Sequence, residues 1–113
     1  MGILAIGAVV LVRFPFSDLS NVKLRPAIVL ADTGRNDWIL CQVTSQLYGD
    51  PLAVKITNGD LASGSFRKDS FARPGKLFTA NAGIMQRQIG ELKDAKLEEI
   101  VRAVISLLEK GIS

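Results

Sequence analysis

Lys23-Leu24-Arg25-Pro26-Ala27-Ile28-Val29-Leu30 is the stretch from which the fold is read. Arg25 precedes a proline, whose ring pushes the residue before it toward extended backbone. The apolar run that follows reads as a buried strand. The same pattern recurs on both sides. Short apolar, β-branched segments fall at 9–14, 27–31, 38–44, 52–56 and 76–79. Turn-forming stretches lie between them: Phe14-Pro15-Phe16-Ser17-Asp18, Asp32-Thr33-Gly34-Arg35-Asn36-Asp37, Tyr48-Gly49-Asp50-Pro51 and Asn58-Gly59-Asp60. Many short strands with tight turns predict a mainly β fold, a small and strongly curved sheet or barrel.

The period changes near the C-terminus. Leu97, Ile100, Val101, Val104, Leu107 and Leu108 share one face at helical spacing, with Glu98, Glu99, Arg102, Glu109 and Lys110 largely elsewhere. Asp94 is placed to cap the start of this helix and Gly111 to stop its end. The expected order is strands first, then one helix closing the open side of the sheet.

With 113 residues, 48% apolar and 22% charged, the chain reads as one domain over 1–113, with no repeat, linker or low-complexity tract. The apolar N-terminus lacks a basic leader and is closed by Arg13, short of the roughly 18 residues that cross a bilayer. Residues 8–14 read as a strand instead, so neither secretion nor membrane insertion is expected. The single cysteine, Cys41, has no internal partner and fits a reducing, cytoplasmic setting. There is no histidine, which removes imidazole acid–base chemistry and His-based metal sites. The formal charge of +3 leans only weakly toward anionic partners.

Three polar clusters end apolar strands. At Arg25 a guanidinium could present a planar fork to a phosphate, or form a rim salt bridge. At Ile39-Leu40-Cys41-Gln42-Val43-Thr44-Ser45-Gln46 the alternation gives way to three hydrogen-bonding side chains. These could hold phosphate oxygens or base edges, or satisfy their own turn. At Asp69-Ser70-Phe71-Ala72-Arg73-Pro74-Gly75-Lys76 a second Arg-Pro pair is followed by Lys76, again a phosphate ligand or a solvated charge. The polar segment 15–23 is a candidate lid, with Phe14 or Phe16 available for base stacking or else part of the core. Trp38 reads as a core or dimer residue.

Together, Gly7-Ala8-Val9-Val10-Leu11-Val12, Phe14-Pro15-Phe16, the Arg25-Pro26 strand, Val43-Thr44-Ser45-Gln46, Ser70-Phe71-Ala72-Arg73 and Ile89-Gly90-Glu91-Leu92 resemble the PemK/MazF-like toxins. The resemblance spans nearly the whole chain. It implies a small SH3-like barrel of about five to seven mostly antiparallel strands with a C-terminal helix. It further implies a homodimer and a cognate antitoxin whose acidic tail would suit Arg25, Arg73 and Lys76. The implied activity is cleavage of single-stranded RNA (mRNA) without metal or cofactor. On this resemblance the catalytic residues fall on Arg25, Thr44 and Arg73, and RNA contacts on Lys23, Ser45, Gln46, Ser70, Lys76 and Phe16. Gly75 stands where Kid-type members carry an aspartate, which leaves the general base to a water, to Asp18 or to the surroundings of the 2′-hydroxyl.

Two rivals share the barrel. A gyrase-inhibiting toxin like CcdB depends on a tryptophan near its C-terminus, and this chain ends Glu109-Lys110-Gly111-Ile112-Ser113 without one. The other rival is a barrel that binds RNA or a protein without cutting, which Gly75 keeps open.

Overall fold

Pro26 decides where the sheet opens. In the computed structural model, which describes residues 4–15, 22–47 and 49–112, strand β2 (Val22–Gly34) lies between β1 (Ala8–Pro15) and β3 (Asp37–Thr44). Against β1 it pairs from Val22 to Ile28, with Pro26 opposite Leu11. Against β3 the ladder reaches only as far as Ala27 opposite Gln42. Proline has no N–H to give to a ladder, so the ends of β2 and β3 part beyond this point.

The other strands are β4 (Val54–Ile56), β5 (Leu61–Gly64), β6 (Ser70–Asn81) and β7 (Met85–Leu92), followed by helix α1 (Asp94–Lys110). All seven strands pair antiparallel in the order β4-β6-β3-β2-β1-β7-β5, a curled half-barrel. Every strand expected from sequence is present. β5 and β7 were not expected as strands, and their exposed polar residues (Ser63, Gln86, Arg87, Gln88) explain why no apolar run marks them.

Both faces of the sheet carry apolar clusters. One gathers Val9, Ile28, Cys41, Val43, Ile56, Ala72 and Leu92 under Ile100 of the helix. The other gathers Val10, Val12, Ala27, Val29, Leu40 and Met85, with Trp38 and Phe78 at its margin. Adjacent residues of β1 thus serve opposite faces, as the two-residue period of a strand requires.

The third sequence cluster makes a wide bulge. Cys41 pairs with Leu77, but Val43 pairs with Ala72, so Arg73-Pro74-Gly75-Lys76 loop out of the β3–β6 ladder opposite Gln42. A residue without an N–H beside one without a side chain makes this the natural place for β6 to bend.

Helix α1 corrects two expectations, the cap at Asp94 and the burial of Leu108, and ends at Gly111 as expected. Asp94 is its first residue and not its cap; the cap is Lys93, which makes no side-chain capping bond. The Asp94 carboxylate still sits in the first turn, where the helix dipole favours negative charge. Gly111 ends the helix in right-handed conformation, its N–H reaching the carbonyls of Leu108 and Glu109, so no left-handed cap forms. Leu108, assigned by spacing to the buried face, is 65% exposed. Leu107, one position earlier, still meets the β6 bulge at Gly75, so it and not Leu108 carries the contact in the last turn.

Candidate functional site

The parted ends of β2 and β3 frame a cleft of about 340 Å³. Its walls are Leu24, Arg25 and Pro26 from β2, Val43, Thr44 and Ser45 from β3, and Phe66, Arg67, Lys68 and Ser70 from the segment entering β6. Four of the residues anticipated from sequence therefore meet here: Arg25, Thr44, Ser45 and Ser70. Arg25 is half-buried, and Thr44 and Ser70 are buried.

The hydroxyls are oriented by local bonds. The Gln46 N–H donates to Thr44 Oγ1 at 3.1 Å, which uses an acceptor site of that hydroxyl and leaves its proton to donate elsewhere. Ser70 Oγ donates to the Lys68 carbonyl at 3.1 Å, fixing the backbone beside the cleft.

The remaining expected residues lie apart from the cleft walls. Lys23 pairs with Phe14 on the outer stretch of β2, and Gln46 is exposed beyond the end of β3. Lys76 is exposed on the β6 bulge. Phe16, Asp18 and the middle of the expected lid lie outside the described residues.

Arg73 is held at the bulge. Its Nε donates to Asp50 Oδ2 at 3.0 Å, with the two side chains only 19% and 12% exposed, while the Leu52 N–H donates to Asp50 Oδ1 at 2.9 Å. These two bonds, the arginine's first, hold the Asp50 carboxyl below its ordinary 3.8. A depressed carboxylate stabilises the fold fully above its unfolded value and loses that contribution as pH falls through its folded value. The expected result is that D50N melts lower than the native chain at neutral pH. The gap should close as the pH is taken below about 3.8, read from melting temperatures across a pH series. A gap independent of pH would rule out this linkage.

Cys41 lies behind the bulge. Its thiol donates to the Arg73 carbonyl at 3.2 Å, and burial pushes its pKa up to about 12, so it is not a nucleophile near neutral pH. Among the described residues, no three Cys, Asp or Glu side chains gather as metal ligands, and no helix is long and apolar enough to cross a membrane.

Sequence reasoning missed Phe66, Arg67 and Lys68. The adjacent cations of Arg67-Lys68, directly before the Asp69-Ser70 cluster, were the available signal. Phe66 is pinned by Asn58, whose Oδ1 accepts from the Phe66 N–H at 2.8 Å and whose Nδ2 donates to the Phe66 carbonyl at 3.2 Å. The turn Asn58–Asp60 is itself closed by Asp60 Oδ2, which accepts from the Thr57 N–H at 2.8 Å.

A family model described as "PemK-like, MazF-like toxin of type II toxin-antitoxin system" matches residues 5–108. Among curated proteins no sequence matches significantly. Among solved structures, the MazE–MazF complex of Deinococcus radiodurans (form II) superposes with a TM-score of 0.76 at 22% identity, covering 100% of both chains. The Mycobacterium tuberculosis toxin MazF-mt6 gives 0.70 at 15% identity, over 90% of this chain and 96% of its own. A mycobacterial endoribonuclease in complex with its cognate antitoxin gives 0.71 at 15% identity, over 96% of each. At such identities these structures speak to the fold.

Proposed function

The chain belongs to the PemK-like, MazF-like toxins of type II toxin–antitoxin systems, and from that premise we propose that it is an endoribonuclease cutting single-stranded RNA, mRNA included, without metal. The observation that carries this reading is that Arg25 and Thr44, from two different strands, line one cleft with hydroxyls and cations around them.

RNA brings its own nucleophile in the 2′-hydroxyl. The cleft has only to align that oxygen with the adjacent phosphorus and stabilise the charge that develops. The 2′-oxygen bonds to phosphorus and the bond from phosphorus to the 5′-oxygen breaks. The fragments are a 2′,3′-cyclic phosphate and a 5′-hydroxyl end. In this reading the Arg25 guanidinium holds the non-bridging oxygens and the Thr44 hydroxyl donates to one of them. Ser45 and Ser70 contact the strand at the cleft wall, while Lys23, Gln46 and Lys76 meet it farther out. Among the described residues no carboxylate lines the cleft. The 2′-hydroxyl proton passes to water or to Asp18, and the departing 5′-oxygen, a strong base as an alkoxide, takes one back from the guanidinium or from water. In this reading Arg73, which Asp50 holds at the bulge, is the second cation on the phosphate.

The solved relatives with antitoxins support a cognate antitoxin for this chain, with an acidic segment laid over the same cations. The toxin would act in the cytoplasm as a homodimer.

The test is to incubate the purified chain with a mixed-sequence RNA in EDTA and map the ends. Cuts leaving cyclic phosphate and 5′-hydroxyl termini are expected, undiminished by the chelator. Intact RNA, or cutting that needs added Mg²⁺, overturns the proposal. Gyrase inhibition with intact RNA would favour the CcdB-like alternative.

A further inference from the structure

A second and larger cleft, about 610 Å³, adjoins the first. It is lined by Leu11, Gly64, Ser65, Phe66, Arg67, Arg87, Gln88 and Ile89. Phe66 and Arg67 belong to both clefts, so they form the wall between them. That wall is built: Asn58 holds Phe66 by two hydrogen bonds, and Phe66 packs against the core. Its approach is fixed at Gly64, where a Cβ would lie 2.1 Å from the Ile89 carbonyl oxygen.

The sheet register sets the distance between the clefts. Pro26 of the first cleft lies opposite Leu11 on β1, and Leu11 lies opposite Arg87 on β7. Arg87 is therefore two strand spacings, about 10 Å, from the β2 wall of the first cleft. Arg67 stands at the boundary. The charged residues lining the pair are Arg25, Arg67, Lys68 and Arg87, all cationic among the described residues, although the whole chain carries 11 acidic residues against 14 basic ones. Asp69, the acid next in sequence to the wall, is held by Lys55 at 3.2 Å. Two adjoining clefts whose charged lining is cationic throughout suit a polyanion.

Resting on the nuclease reading of the first cleft, we infer that the second cleft binds a nucleotide flanking the scissile bond, with Arg67 and Arg87 as ligands of its phosphate. Its volume lies within the roughly 300–1,000 Å³ of small-molecule sites, room for a base and ribose beside the phosphate. The two clefts then read one continuous stretch of strand: the first positions the bond to be cut, and the second sets register and affinity.

The experiment uses an RNA oligonucleotide with a 2′-O-methyl group at the scissile nucleotide, which binds but does not react. Its dissociation constant is measured across a salt series for the native chain, R67Q, R87Q and R102Q. Arg102 is an exposed helix residue that lines neither cleft. R87Q and R67Q are each expected to weaken binding several-fold. Each should also flatten the slope of log affinity against log salt by about 0.7, the loss of one single-strand phosphate contact. R102Q should match the native chain. On an oligonucleotide trimmed to the two nucleotides of the scissile bond, R87Q should match it as well. If R87Q has the slope of R102Q on the long RNA, or weakens only an acidic peptide, the inference is overturned. Native chain that binds but never cuts the unmodified RNA sinks the nuclease reading alone, because the slope difference is read without cleavage. No binding by the native chain removes both.

Discussion

Replacing Arg25 by alanine is expected to lower RNA cleavage by about 10²–10³-fold, the scale on which a single preorganised charge donor matters, while the protein stays folded. The physical case rests on position. Arg25 lies on β2 opposite Val12, held by the β1 ladder on one side and facing the gap to β3 on the other. Its backbone is thus fixed independently of its side chain. Arg25 is half-buried, and this partial removal from water strengthens its pull on a phosphate relative to bulk solvent. Arg25→Lys should recover only part of the loss, because an ammonium cannot offer the planar two-point fork. The readout is single-turnover cleavage of a mapped RNA, with a melting curve as the control on folding. Unchanged cutting by Arg25→Ala would remove Arg25 from the centre of the chemistry.

The second large effect concerns stability. Ile100 is fully buried where α1 closes the cluster to which all seven strands contribute. Truncating such a side chain loses its transfer free energy and leaves a cavity, together about 2–5 kcal/mol. A domain of this size has only about 5–15 kcal/mol in all. Ile100→Ala should therefore lower the melting temperature by roughly 10–20 °C. Ile105→Ala on the same helix is the control, since Ile105 is 39% exposed and a partly solvated side chain leaves little cavity. Its expected cost is under about 1 kcal/mol. Equal losses in the two variants would mean that the helix does not seal the core as described.

These two residues also mark the reach of sequence reasoning. Ile100 was legible because helical spacing is a local property: residues three and four apart share a face whatever the rest of the chain does. The same rule misplaced Leu108, since spacing gives the side of the helix but not which of two adjacent leucines meets the sheet. Arg25 was legible as a candidate because the proline after it fixes extended backbone locally. Its partnership with Thr44 rested on a family resemblance and on no spacing between residues 19 positions apart. Arg67 and Lys68 stood in plain view as a basic pair, yet nothing in their neighbourhood tied them to Arg25. Arg87 carried no signal at all, because its strand is polar along its exposed length.

Legible in the residues alone were a run of short strands with a closing helix, a chain free of histidine, and the Arg-Pro and Thr-Ser-Gln strand ends. Each of these follows from periodicity, turn chemistry or composition, which act over a few residues. Tertiary structure alone decided that β7 lies beside β1, that β2 and β3 part at Pro26, and that Arg73 is engaged by Asp50 across the bulge. Strand neighbours far apart in the chain are chosen by burying both faces of one curled sheet at once. That condition belongs to the whole molecule, and no local stretch of residues contains it.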